Sequence, residues 1–424
     1  MKTPNNWLSI ALGNMSTFIR GVTFPKGSRL ESYENETVAV ATTKAAQQPG
    51  IEHDKLYFIP KSFVKRLEQF LLPNDIVISI ANSLDLVGRV TFATKKDEGI
   101  TWGAFLGVIR ANPKLIYPYF LYSFLTTAET KQYFRKNART TTNISNISSD
   151  SILSLQIPVP PLAEQKRIVK KIEELFGVID EQVKRLEATQ EALVSYRQSV
   201  LNAYFRNSNY PKCKIKDFIV LKNGYAFDSK SYQNAGIPVV RISNITTNRK
   251  VFLDNAVYVE DKQEYQNFIV SKGDLLLAMS GATTGKLGIY EENVKAFQNQ
   301  RVGNLKIIDK TKCLSKFRNY LFFSLSDAIL HLAYGGAQPN ISGTKLLNLT
   351  SILPSIEQQR DIVKKIETAF AFADKAQAAI TNALEQAKQL KQSILKRAFE
   401  GKLVPQDPND KPIDLTQLKK DKQK

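Results

Sequence analysis

The chain has 424 residues, 43% hydrophobic and 23% charged, which exceeds one compact core, suits two domains and excludes bulk disorder. Lys and Arg number 59 against 40 Asp and Glu, a formal charge of +19. Such an excess favours a polyanionic partner, because neutralising phosphates releases their counterions.

In chain order, Trp7 to Leu12 is too short and interrupted for a signal peptide, and no later run is apolar enough to cross a membrane. A soluble, cytoplasmic protein with no membrane partner is expected. Leu72-Pro-Asn-Asp-Ile-Val-Ile-Ser-Ile80 reads as an Asp-bearing turn entering a buried strand, with Gly88 soon after. Tyr117 to Phe134 is an aromatic helical stretch. A polar loop with Asn143-Ile-Ser145 and an apolar strand then lead to Pro158, Pro160 and Pro161.

Beyond these prolines, Ile168, Ile172, Leu175, Ile179, Val183, Leu186, Leu193 and Val200 recur at helical steps and form one apolar seam. Leu162 to Phe205, at about 1.5 Å per residue, predicts a helix roughly 66 Å long. Pro211 follows it. The second half repeats the plan with Val270-Ser-Lys-Gly-Asp-Leu-Leu-Leu-Ala278, Gly288, an aromatic helix over Phe317 to Tyr334, and Asn340-Ile-Ser342. Ser355 and Gln358 then offer a capping box for a second long helix. Its seam runs Ile362, Ile366, Ala369, Ala373, Ile380, Leu384, Ala387, Leu390 and Ile394, and Gly401 with Pro405 closes it.

The two helices align without a gap, Leu162 to Phe205 on Ile356 to Phe399. Their identical core is Ile168-Val-Lys-Lys-Ile-Glu173 against Ile362-Val-Lys-Lys-Ile-Glu367, so the chain carries a long-period duplication. The expected fold is α+β. Two similar globular domains, 1–157 and 210–353, are separated by two long coiled-coil helices, 158–209 and 354–404, with an internal repeat and a basic tail, 405–424.

Catalytic signatures are sparse. Cys213, Cys313, His53 and His331 are the only residues of their kinds and form no zinc spacing. Gly281-Ala-Thr-Thr-Gly-Lys-Leu287 imitates a phosphate-binding loop, but three residues instead of four separate the glycines, and Leu287 stands where a hydroxyl is required. It reads as a turn between strands. No Asn-Pro-Pro-aromatic tetrapeptide or dinucleotide fingerprint occurs, so no catalytic, cofactor or metal site is expected in this chain. Nucleic-acid-contact candidates are polar loop residues able to reach phosphates and base edges. In the first domain they are Arg135, Lys136, Arg139, Thr140, Thr141 and Asn143, and in the second Arg241, Asn244, Lys286, Gln338 and Asn340. Lys170, Lys171, Lys364 and Lys365 on the long helices read as solvated or partner-facing.

Ile157-Pro-Val-Pro-Pro-Leu-Ala-Glu-Gln-Lys-Arg-Ile168, Leu353-Pro-Ser-Ile-Glu-Gln-Gln-Arg-Asp-Ile362 and the closing Ser393-Ile-Leu-Lys-Arg-Ala-Phe-Glu-Gly-Lys-Leu-Val404 resemble the specificity subunits of prokaryotic type I restriction-modification enzymes. The resemblance covers essentially the whole chain. It implies that each domain binds one half of a split double-stranded DNA target in the major groove, with the two long helices antiparallel as a ruler and the two halves related by pseudo-twofold symmetry. It also implies two adenine methyltransferase subunits and, in the full complex, two motor-nuclease subunits. S-adenosylmethionine and ATP-Mg would belong to those partners. The tail departs from the family pattern in ending Lys419-Lys-Asp-Lys-Gln-Lys424, and reads as a solvated basic segment. Competing readings are a standalone coiled-coil DNA-binding protein, a fusion of recognition with catalysis, and a recognition subunit from a system that cuts on both sides of its target.

Overall fold

The computed structural model describes residues 4, 6–142, 144–206, 209–333, 339–414 and 416. Asn143, Gln338 and the lysine-rich end lie outside the described residues. The chain divides into two compact units, Met1–Arg185 with Asn382–Lys424, and Leu186–Thr381. Each unit thus groups one sheet-rich domain with one half of each long helix, whereas the sequence reading set the helices apart as separate spacers.

In the first unit, β-branched and aromatic runs build a four-stranded antiparallel sheet ordered Ser16–Arg20, Leu106–Ala111, Ile76–Ser79, Val90–Phe92. Its companion orders Tyr57–Pro60, Thr37–Ala41 and Thr101–Trp102, the last pair parallel. The second unit repeats both. Ile219–Asn223, Val302–Ile307, Leu275–Ala278 and Leu287–Ile289 form one sheet. Val257–Val259, Ile237–Val240, Ala296–Gln298 and Ile269–Val270 form the other, again with one parallel pair.

The Asp-bearing turns set where the central strands begin. Asp75 accepts the Leu72 amide N–H at 2.9 Å, and Asp274 accepts that of Ser271 at 3.0 Å. Asp75 is buried and also receives both arms of Arg110, Nε at 2.8 Å and Nη2 at 2.7 Å. That bidentate bond holds the Arg110 guanidinium above its ordinary pKa despite partial burial. Asp75→Ala leaves a half-buried cation unpaired and is expected to destabilise the chain by about 3 kcal/mol or more. Urea unfolding measures this, with Asp85→Ala as a control. Asp85 pairs with Arg135 on the surface, where a loss of at most about 1 kcal/mol is expected.

Each aromatic helical stretch divides in two. Pro118–Leu125 and Ala128–Asn137 are separated at Thr127, whose hydroxyl donates to the Phe124 carbonyl at 2.8 Å and caps the next helix by accepting the Thr130 N–H at 3.2 Å. Likewise Ser315–Ser324 precedes Ser326–Ala333, with the Ser326 hydroxyl bonded to the Phe323 carbonyl at 2.9 Å. Periodicity alone carries through such a break, because the apolar spacing continues across it.

The long helices span Leu162–Phe205 and Ile356–Phe399. The Ser355/Gln358 capping box forms, at 3.0 and 3.3 Å. Each helix entrance is also latched to its domain by a fully buried glutamine. Gln165 accepts the Tyr117 N–H at 2.7 Å and donates to the carbonyls of Pro160, at 2.9 Å, and Leu115, at 3.4 Å. Its repeat equivalent Gln359 accepts the Leu314 N–H at 2.9 Å and donates to Pro354 and Lys312, each at 2.8 Å.

Within the first unit the two half-helices run antiparallel: Asp180 pairs with Lys391, while Ile168 and Ile172 share a core with Leu395, Ala398 and Phe399. The rings of Phe120 and Phe124 each meet Phe399 edge-on at 5.1 Å. In the second unit Arg197 pairs with Asp374, and Leu201 and Phe205 share a core with Ile362 and Ile366. Asp180 and Asp374 are repeat equivalents, as are Arg197 and Lys391, so each unit holds the same ion pair with the helices exchanged.

The seam is correct at Ile168, Ile172, Ile179, Ala373, Ile380 and Ile394, all buried, but Leu390 is 51% exposed. A long helix drifts against a fixed apolar repeat, which turns this position outward. The four lysines flagged on the helices are exposed or half-exposed, and two of them make local pairs, Lys171 with Glu174 and Lys365 with Asp361.

Candidate nucleic-acid interface

In the first unit one ribbon of backbone hydrogen bonds links a tight turn to the polar loop chosen from sequence. The Phe105 carbonyl, at the turn, accepts the amides of Ile80 at 2.9 Å and Ala81 at 3.3 Å. Ala81–Asn82 pairs with Ser145–Asn146, which pairs with Arg139–Thr140 at the edge. Arg139, Thr140 and Thr141 are exposed there. The Thr140 hydroxyl meets that of Ser145 at 2.9 Å, while both N–H and O–H of Thr141 donate to the Ile144 carbonyl and close the turn. Arg135 and Lys136 are exposed in the last turn of Ala128–Asn137, and Arg135 reaches Asp85 at 3.3 Å.

A cleft of 420 Å³ opens on the other side of the same turn, lined by Phe24, Arg29, Thr42, Thr43, Lys44 and Tyr57. The Arg29 guanidinium lies over the rings of Phe24, at 5.5 Å, and Tyr57, at 5.3 Å. Arg89 braces the cleft wall through the Thr43 carbonyl at 2.8 Å and Gln47 at 2.6 Å. Burial lowers its pKa, against a weaker opposing pull from Glu52.

The second unit has the equivalent rim. The Arg301 carbonyl accepts the Met279 amide at 2.9 Å, the Met279 carbonyl accepts that of Ile341 at 2.8 Å, and Ser280 bridges Asn340. The Gly281–Leu287 segment is the turn expected between strands, with φ of 91° at Gly281 and 86° at Gly285, a region that favours glycine. Thr283 ties it to the Ile242 carbonyl at 3.1 Å and Thr284 to that of Pro339 at 3.3 Å. The loop that carries Lys286 is therefore tied to the residue after Arg241 and to the Pro339–Asn340 segment. A cleft of 480 Å³ beside it is lined by Asn223, Ser280, Gln300, Arg301 and Asn340 among others.

Lys286 and Arg241 are half-exposed and Asn340 exposed. Arg241 donates to the Asn255 carbonyl at 3.2 Å and lies over Tyr232 at 6.0 Å. Asn244 is 4% exposed, and its amide is consumed internally. Oδ1 accepts the Arg241 N–H and Nδ2 donates to the Phe252 carbonyl, both at 2.9 Å. Asn244 holds a turn and presents no free edge to a ligand. The rim thus gathers guanidinium, ammonium, amide and hydroxyl groups in both units, the donors and acceptors that meet phosphates and base edges.

Among the described residues no group of three or more His, Cys, Asp or Glu converges as for a metal ion, and no helix is long and apolar enough to cross a membrane. Burial pushes the Cys313 thiol up to about 12, so it is packed as a small apolar group. The sequence reading did not single out Arg29, Lys44 and Phe105, which line the first cleft, or Gln300 and Arg301, which line the second. A usable signal exists, since Gly21-Val-Thr-Phe24 matches Gly224-Tyr-Ala-Phe227 and Gly107 matches Gly303. Those matches carry the repeat alignment into the domains and place Phe105 opposite Arg301.

The family described as the type I restriction modification DNA specificity domain matches this chain twice, over residues 4–188 and 207–386. The chain is 29% identical to the EcoKI specificity subunit of Escherichia coli (strain K12), a type I restriction enzyme subunit, over 96% of this chain and 91% of that protein. It is 28% identical, with the same coverage, to the StySPI specificity subunit of Salmonella potsdam. Two solved structures share the fold. One, from a study of complex assembly and conformational transition in a type I system, has a TM-score of 0.70 at 20% identity, over 95% of this chain and 100% of that chain. The other, HsdS from Thermoanaerobacter tengcongensis, has a TM-score of 0.51 at 19% identity, over 95% and 99%. With the duplicated domains, the paired helices and the twofold-repeated polar rim, these matches establish that the chain belongs to the type I restriction-modification DNA specificity family, as a subunit that recognises the DNA target and not as a catalytic one.

Proposed function

We propose that each unit reads one half of a split DNA target and that the two long helices act as the spacer setting the gap between halves. The observation that carries this reading is the depth of the repeat, which extends to the exchanged ion pairs Asp180–Lys391 and Arg197–Asp374 and to the latches Gln165 and Gln359. Two equivalent units suit two half-targets and two copies of one partner. The partners are two adenine methyltransferase subunits and, in the complete assembly, two motor-nuclease subunits. S-adenosylmethionine and ATP-Mg reside in those partners, and the assembly works in the cytoplasm. The net charge of +19 supplies the phosphate attraction, and the rim residues supply discrimination.

The test is N6-methyladenine sequencing of host DNA with and without this gene, the methyltransferase partner being expressed. A motif of two short specified halves around an unspecified gap should vanish on deletion. Exchanging residues 1–157 for the matching domain of a relative should then alter one half of the motif and leave the other intact. An unchanged methylome on deletion, or alteration of both halves by a single exchange, contradicts the proposal.

A further inference from the structure

The two units place the same backbone turn at the head of the rim and give it different side chains. Gly103-Ala-Phe105 and Asn299-Gln-Arg301 share their main backbone contacts. Leu106 N–H returns to the Gly103 carbonyl and Val302 N–H to the Asn299 carbonyl, each at 2.9 Å. The turns are held by the parallel bridges Val22–Gly103 and Tyr225–Asn299, and by the Phe105 and Arg301 carbonyls accepting Ile80 and Met279. Gly21 and Gly224 press against them so closely that an added Cβ would lie 2.3 Å from the Gly103 and Asn299 carbonyl oxygens. Backbone geometry is therefore overdetermined and shared.

The side chains at the tip are not shared. Ala104 and Phe105 are exposed, Phe105 at 59%, and so are Gln300 and Arg301. An exposed phenylalanine on a tight turn adds little internal packing. Gln and Arg, side by side here, are both among the residues that read purine edges in a bidentate manner, Gln on adenine and Arg on guanine, while a Phe ring meets a thymine methyl. Fixed backbone with divergent exposed side chains is what two readers of different sequences require.

We infer that these turn tips determine specificity. Gln300 and Arg301 hydrogen-bond purine edges in the half-target read by the second unit, and Phe105 makes an apolar thymine contact in the half read by the first. This inference rests on the proposal that each unit reads one half-target. Arg139, Lys286 and their neighbours on the rim then position the DNA through its phosphates.

The experiment expresses the full chain with its methyltransferase partner and maps N6-methyladenine genome-wide for wild type, Arg301→Ala, Arg301→Gln and Phe105→Ala. Arg301→Ala should relax one position of one half-target, discrimination there falling about tenfold, the scale of one lost bidentate contact. Arg301→Gln keeps the tip polar and should shift preference at that position towards adenine. Phe105→Ala should relax a position in the other half. A wild-type motif read at wild-type stringency in all three variants overturns the inference, as does uniform loss of methylation with no change of motif. Absence of any split motif with the wild-type chain would instead overturn the underlying proposal.

Discussion

Four residues inserted between Arg185 and Leu186, with four more at the repeat-equivalent point between Ala379 and Ile380, are expected to widen the gap between half-targets while leaving both half-target sequences unchanged. Four helical residues add about 6 Å, which corresponds to one or two base-pair steps. The insertions fall at or near the boundaries between the compact units, so each unit keeps its own core and its own interhelical ion pair. Four residues also make a full turn plus about 40°, a modest rotation, whereas one residue inserted in each helix rotates its two ends relative to each other by about 100°. The single insertion is therefore expected to abolish methylation and the fourfold insertion to preserve it on a longer motif. Methyladenine sequencing reads both. A folded fourfold variant that methylates the original motif with its original gap would end the spacer model.

The second large effect concerns the glutamine latches. Gln359→Ala removes the acceptor of the Leu314 N–H and the donor to the Pro354 and Lys312 carbonyls; the side chain is fully buried, its bond to Pro354 is buried and the other two are part-buried. A buried polar group left without a partner costs about 1–3 kcal/mol and a part-buried one less, so the three lost bonds together imply a loss of about 2–3 kcal/mol. Gln165→Ala should do the same in the first unit. Gln359→Glu tests the cause, because a carboxylate of equal size accepts but cannot donate to two carbonyls. It should destabilise nearly as much as the alanine. Hydrogen exchange locates the damage, with faster exchange around residues 312–314 for the Gln359 variants and around 115–117 for the Gln165 variants. If Gln359→Glu unfolds at the wild-type urea concentration, the latch acts by filling space and the hydrogen-bond account fails.

These glutamines show how far sequence can be read. Gln165 and Gln359 stand out in a string comparison as matched residues of a repeated motif, yet their flank of Glu, Lys and Arg gives them the look of solvated helix surface. Only the folded chain brings the backbone of residues 312–314 against the entrance of the helix and turns a polar side chain into an internal bond. The rim has the same history. Arg139, Thr140 and Asn340 are legible as polar loop residues and do lie on it. Asn244 has the same composition cue, but its amide closes a turn instead. Phe105 carries no cue in its residue type, because an exposed aromatic and a core aromatic are written identically; only the repeat alignment through Gly107 and Gly303 marks its position.

The plan is legible along the chain: two related domains, each followed by a long helix, a strong positive charge, and family motifs at both helix entrances. These are legible because duplication, helical period and charge are properties of order along the chain. Tertiary structure alone decided how the helices are shared, one half of each in either unit, and which residues of equivalent loops face outward. It also decided that Leu390 leaves the seam and that each aromatic stretch breaks into two helices. Such outcomes depend on contacts between residues far apart in the chain, where packing and hydrogen-bond satisfaction outweigh local preference by several kcal/mol, and no local pattern encodes which partner a side chain will meet.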